Sequence, residues 1–125
     1  MNMKTKKLEN RPPGVGNSQI RLLQRLCDSV AVSGDEGSIR AIIKEQISVC
    51  ADELTVDVVG NLLAVRRGSG ENRLRVMIAA HMDEVGFMLV QDDEEGLFSF
   101  EPVGGIDERQ LAAKPVLVGK DHVPG

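Results

Sequence analysis

The segment that most restricts what this chain can become runs from Val76 to Val90, VMIAAHMDEVGFMLV. Five apolar residues, Val76 to Ala80, lead straight into His81, and Asp83 and Glu84 follow before a second apolar run begins. A run this short and this uniformly apolar reads as a strand buried on both faces, the kind that parallel sheets use. Its polar residues gather at the C-terminal end, where open α/β sheets bind ligands. His81 therefore stands where a metal ligand or catalytic group is expected. A lone His after an apolar strand is more often a hydrogen-bonded structural residue. The spacing His81-x-Asp83 shifts the balance toward chemistry, although alone it is a weak signal. A neutral imidazole can bind a metal through one nitrogen while a nearby carboxylate holds the other N–H and sets the ring angle.

In front of this segment the chain reads as helix, helix and hairpin. Residues 1–17 lack periodicity, carry Pro12-Pro13-Gly14, and hold Lys4, Lys6, Lys7 and Arg11 against Glu9, a net +3 that leaves −7 for the rest. A short solvated tail is the expected state, since the basic cluster is small and has no apolar partners. Ser18 to Val30 places Ile20, Leu23, Leu26, Cys27 and Val30 on one helical face, with Asn17 or Ser18 as cap. A second helix, Asp35 to Ala51, buries Ile39, Ile42, Ile43, Ile47 and Cys50. Ser33 is its expected N-cap, Asp35 and Glu36 suit its first turn, and Arg40, Lys44 and Glu45 face water. ELTVDVV, the Gly60-Asn61 turn and LLAV form a hairpin. GSGEN is a further turn before Leu74 to Ala80, the strand that delivers His81.

Behind the segment, Val85 to Gln91 and Leu97 to Val103 read as a second antiparallel hairpin, turning at DDEEG. Asp92 to Glu95 lack the spaced oxygen pattern of a calcium loop, so a solvated turn is expected. GGIDERQLAAK gives a loop with one helical turn, and PVLVG another strand. His122 is read as surface loop without a role.

Composition excludes several classes. A chain of 125 residues, 42% hydrophobic and with net charge −4, has an ordinary globular composition with room for one core. With three Phe, no Trp and no Tyr it has no base-stacking platforms, and no nucleic-acid partner is expected. No apolar run reaches the roughly 18 residues of a membrane span, and no secretory signal is visible, which points to the cytoplasm. Cys27 and Cys50 lack zinc-site spacing and read as free thiols on apolar helix faces. Nucleophile-elbow, Cys-x-x-Cys and Gly-x-Gly-x-x-Gly patterns are missing.

The string AAHMDEVGFML resembles the first metal-ligand segment of the dinuclear-metal aminopeptidases that form tetrahedral particles, the glutamyl and deblocking aminopeptidases also labelled cellulase M. SGDEGSIRAIIKEQI, VDVVGNLLAVRRG, FEPVGGIDERQLAAKPVLVG and VPG extend the resemblance, in order, over Ile20 to Gly125. It implies an α/β fold: two helices and then a mixed sheet forming the first part of a metallopeptidase domain over 18–84, and the start of an inserted β-rich domain over 85–125. It implies removal of N-terminal residues from peptides with two divalent metal ions, zinc or cobalt, in a homo-oligomer building from dimer to dodecamer. Within that scheme His81 matches the first metal ligand and Asp83 the catalytic carboxylate that orients it, while Glu84 has no role and faces the rim or solvent. The family's bridging aspartate, general-base glutamate and other ligands have no counterpart in these residues. The chain is therefore expected to be an N-terminal portion, inactive by itself and prone to aggregate. The alternative is a non-catalytic truncated member that only associates with other subunits. A glycan-hydrolase reading is weaker, because no carboxylate pair flanks a sugar cleft.

Overall fold

The computed structural model describes residues 14–71 and 74–125. Most of the expected tail lies outside the described residues, as does part of the turn expected at GSGEN. The first element, α1 (Asn17–Cys27), starts earlier than expected, ahead of both expected caps: Gly16 is the N-cap, and its N–H donates to Gln19 Oε1 at 3.0 Å. The half-buried residues of α1 are Leu22 and Leu26, whereas Ile20, Leu23 and Cys27 are exposed. The inward face is thus rotated from the expected one. The second helix, α2 (Gly37–Ile47), is shorter at both ends than expected and is capped by Glu36 rather than Ser33. Ile39 is buried and Ile42, Ile43 and Ile47 are half-buried, but Cys50 lies past the helix end and is exposed. An ion pair from Arg25 to Glu45 at 2.7 Å links the two helices.

Both expected hairpins form. The strands β1 (Glu53–Val56) and β2 (Leu62–Val65) pair antiparallel, with Leu54 opposite Ala64 and Val56 opposite Leu62. Their turn is wrapped around Asp57, whose carboxylate accepts from the N–H groups of Val59 and Asn61 and from Asn61 Nδ2. Gly60 supplies the left-handed residue there, at φ +93. The strands β3 (Gly86–Asp92) and β4 (Phe98–Val103) also pair antiparallel, with a bulge between Leu89 and Gln91. Phe87 and Phe100 meet edge to face across this hairpin, centroids 4.8 Å apart. A 3-10 turn at Glu108–Gln110 is capped by Asp107, and β5 (Leu117–Val118) pairs with β6 (Val123–Pro124). His122 lies in that last turn with φ 54.

Two expectations are corrected. Among the described residues the strands form three separate two-stranded antiparallel sheets, not one mixed sheet. The segment Leu74 to Ala80 pairs with none of them, and Val76 and Ile78 are 81% and 93% exposed. The physical reason is that a strand is completed by its neighbours: backbone donors and acceptors need a flanking strand, and apolar side chains need a layer to cover them. The described residues supply neither here. The buried hydrophobic residues are Ala31 and Ile39 alone among those described, and Ala31 sits in the loop joining α1 to α2.

Candidate functional site

The His81 segment makes a single parallel bridge, Val32 to Glu84, four residues past the end of the expected strand. Glu84 N–H donates to Ala31 O at 2.8 Å, and Glu84 Oε1 accepts from Ala31 N–H at 3.2 Å. The Glu84 side chain therefore contacts the α1–α2 loop while the residue stays exposed to solvent, as expected. Gly86 lies against Val32 so closely that a Cβ at this position would run into Val32 Cγ2. Together these contacts hold residues 31–33 beside residues 83–86.

This juxtaposition brings Ser33 to Asp83. The Ser33 hydroxyl donates to Asp83 Oδ2 across 50 residues of sequence. On its other side, Asp83 faces His81: Nδ1 of His81 lies 3.0 Å from Asp83 O and 3.3 Å from Asp83 Oδ1. Both neighbours of Nδ1 are acceptor oxygens, so in the neutral ring Nδ1 carries the proton and Nε2 keeps the lone pair. Nε2 makes no hydrogen bond among the described residues, and the His81 side chain is 86% exposed. The Ser33 hydroxyl is the main cause holding the Asp83 carboxyl below its ordinary range. The residue's own N–H and the His81 imidazole add to the effect against partial burial.

A recess of about 280 Å³ opens here, lined by Ser33, Glu36, Gly60, Asn61, His81 and Asp83 among others. Glu36 is likewise held below the ordinary glutamate range, chiefly by the Gly34 N–H, with its own N–H and the Arg40 guanidinium assisting and Asp83 opposing. Arg40, expected to face water, is half-buried. Its Nε donates to Gly60 O at 2.7 Å and its Nη2 lies 3.4 Å from Glu36, tying α2 to the β1–β2 turn at the edge of the recess. The pairing of His81 with Asp83 was legible from their spacing. Ser33, Glu84 and Arg40 were not, since each acts on a partner remote in sequence. Ser33 in particular reads locally as a helix cap.

The sequence profile of the M42 glutamyl aminopeptidases matches residues 60–125, just over half of the chain. The chain belongs to the M42 glutamyl aminopeptidase family. It is similar to the lysyl aminopeptidase of Pyrococcus furiosus, 34% identical over 96 residues, which are 76% of this chain and 27% of that protein. The structure of a TET aminopeptidase from a Thaumarchaeota archaeon of marine sediment superposes with a TM-score of 0.72 at 32% identity, over 81% of this chain and 28% of the other. An endoglucanase structure from Thermotoga maritima gives 0.69 at 45% identity, over 75% of this chain and 30% of its own. The chain thus spans about a quarter of the length of its curated relatives. The family is one of metallopeptidases, so a divalent metal belongs to its chemistry. Among the described residues no group of three or more His, Cys, Asp and Glu side chains is placed to hold one. Catalytic zinc sites use three protein ligands and structural ones four. One imidazole nitrogen beside the Asp83 carboxylate does not close such a sphere. Among the described residues no helix is long and apolar enough to cross a membrane.

Proposed function

We propose that this chain carries part of the active site of a metal-dependent aminopeptidase that removes N-terminal residues from peptides. In it His81 is a metal ligand through Nε2, and Asp83 orients that ligand. The observation behind this reading is the state of the ring: Nδ1 is engaged by Asp83 while Nε2 stands uncommitted beside a recess. This is the arrangement by which ligating histidines are held in other metal sites. Two divalent ions, zinc or cobalt, would supply the Lewis acid and the hydroxide. The other ligands and the general base are contributed from outside these 125 residues, and the 125-residue chain alone is without peptidase activity. Residues 18–84 then belong to the catalytic α/β domain and residues 85–125 to an inserted β-rich domain. In this reading the protein is a cytoplasmic homo-oligomer, built from dimers to a dodecamer; the likeness to a TET aminopeptidase supports a multimer. Neither nucleic acid nor membrane is a partner in this reading.

The test is metal content and aminoacyl-anilide hydrolysis in the polypeptide that completes the site. His81→Ala should lose one metal and nearly all turnover. Asp83→Asn should keep the fold and lose roughly 10–100-fold in metal affinity or rate. Wild-type metal content and rate in the His81→Ala protein would overturn the assignment. Hydrolysis of a β-glucan without peptidase activity would point to the chemistry in the name of the Thermotoga protein.

A further inference from the structure

We infer that Ser33 is a positioning residue of this site: its hydroxyl anchors Asp83 to the α1–α2 loop and so holds His81 with Nδ1 inward and Nε2 uncommitted. The inference extends the proposed role of His81 and rests on it. Both oxygens near Nδ1, one carboxylate and one carbonyl, belong to Asp83. Whatever fixes Asp83 therefore fixes both acceptors of the imidazole proton at once. Asp83 has one side-chain anchor outside its own segment among the described residues, the Ser33 hydroxyl on Oδ2. A carboxylate rotates readily about its broad χ2 torsion. With Oδ2 held by Ser33, the remaining oxygen, Oδ1, is the one turned to His81. Ser33 in turn cannot drift, because the bridge from Val32 to Glu84 and the two hydrogen bonds between Ala31 and Glu84 set the register of the two strands of chain. The side chain does no local work that would account for it otherwise. The N-cap of α2 is Glu36, with no side-chain cap bond, and Ser33 lies three residues outside that position.

The experiment reads the tautomer of His81 directly. The protein is labelled with ¹⁵N at its two histidines, His122→Gln assigns the signals, and spectra are taken at about pH 8, above the ordinary imidazole range. Nitrogen–proton correlations then show which ring nitrogen bears the proton. Wild type should show a protonated Nδ1 and a bare Nε2. Ser33→Ala should move the two ¹⁵N shifts toward each other as the tautomers mix, while Ser33→Thr, which keeps the hydroxyl, should retain the wild-type pattern. The amide signals of Ala31 and Glu84 report whether the clamp is intact. A wild-type pattern in Ser33→Ala with those amides unchanged overturns the role of Ser33 alone. If the alanine variant loses the clamp, the threonine variant decides: a wild-type pattern supports the anchor and a mixed one overturns it. A protonated Nε2 in the wild-type protein overturns the reading of His81 as an Nε2 ligand, and the anchor with it.

Discussion

Replacing Gly86 by Ala should open the clamp that builds the site. Gly86 has no left-handed backbone, so the added methyl is refused by its surroundings rather than by its φ angle. An ideal Cβ would overlap Val32 Cγ2, with Val32 Cγ1 at 3.2 Å and Val32 Cβ at 3.4 Å. Valine cannot turn aside. It is stiff at χ1, and with two methyl groups for three staggered positions, at least one of the two close positions is always filled. Overpacking of this kind costs about 1–3 kcal/mol. The clamp is held by two hydrogen bonds between Ala31 and Glu84, each contributing about 1 kcal/mol. The cost and the holding energy are comparable, so the strain is relieved by parting the two segments. At about 1.4 kcal/mol per factor of ten, protection of the Glu84 amide from hydrogen exchange should fall by about 5- to 150-fold. Ser33 should part from Asp83 in the same opening. The Val32→Ala/Gly86→Ala double variant removes both γ-carbons and should recover most of the lost protection, a coupling that marks direct contact. Full Glu84 protection in Gly86→Ala, or no recovery in the double variant, would refute the steric argument.

Other substitutions test neighbouring parts of the fold. Gly37→Ala, at the open first position of α2 with nothing within 4 Å of the new Cβ, should stabilise by a few tenths to about 1 kcal/mol in urea unfolding. Destabilisation there would show that the helix does not begin as described. Arg40→Ala removes the donor to Gly60 O and should cost about 1.5–3 kcal/mol. Arg40→Lys should recover little, because a point charge cannot reproduce the guanidinium fork; equal stability of the lysine and wild-type proteins would contradict this. Asp93, whose carboxylate accepts from the Leu97 and Glu95 N–H groups, is held below its ordinary range by those bonds, Leu97 first. A carboxyl depressed in the folded state stabilises the β3–β4 turn above its unfolded pKa and loses that contribution as pH falls through the folded one. The Leu97 amide shift should therefore change as the pH is lowered below about 4. Asp93→Asn should abolish that change, and an unaltered titration in the variant would assign it to another group.

The elements whose partners lie within a few residues were legible in the sequence. Helical spacing located α1 and α2 to within a few residues. The turn residues around Gly60-Asn61 and Asp92 to Gly96 located both hairpins, since a hairpin pairs a strand with its immediate successor. The nearness of His81 and Asp83 follows from their i, i+2 spacing at the end of one segment. Burial was another matter. Val76 to Ala80 have the composition of a covered strand, yet composition states only a preference for cover, and no flanking strand exists among the described residues to provide it. The inward face of α1 kept Leu26 but took Leu22 in place of Leu23 and Cys27, because the second helix, not the periodicity, decides which side is inside. The anchor of Asp83 was hidden for the same reason. Ser33, ahead of two acidic residues and a helix, satisfies the local pattern of a cap, and its actual partner, 50 positions away, is set by the Val32–Glu84 bridge. Tertiary structure decided that contact through Gly86, whose missing side chain lets Val32 and the His81 segment approach closely enough for it to form.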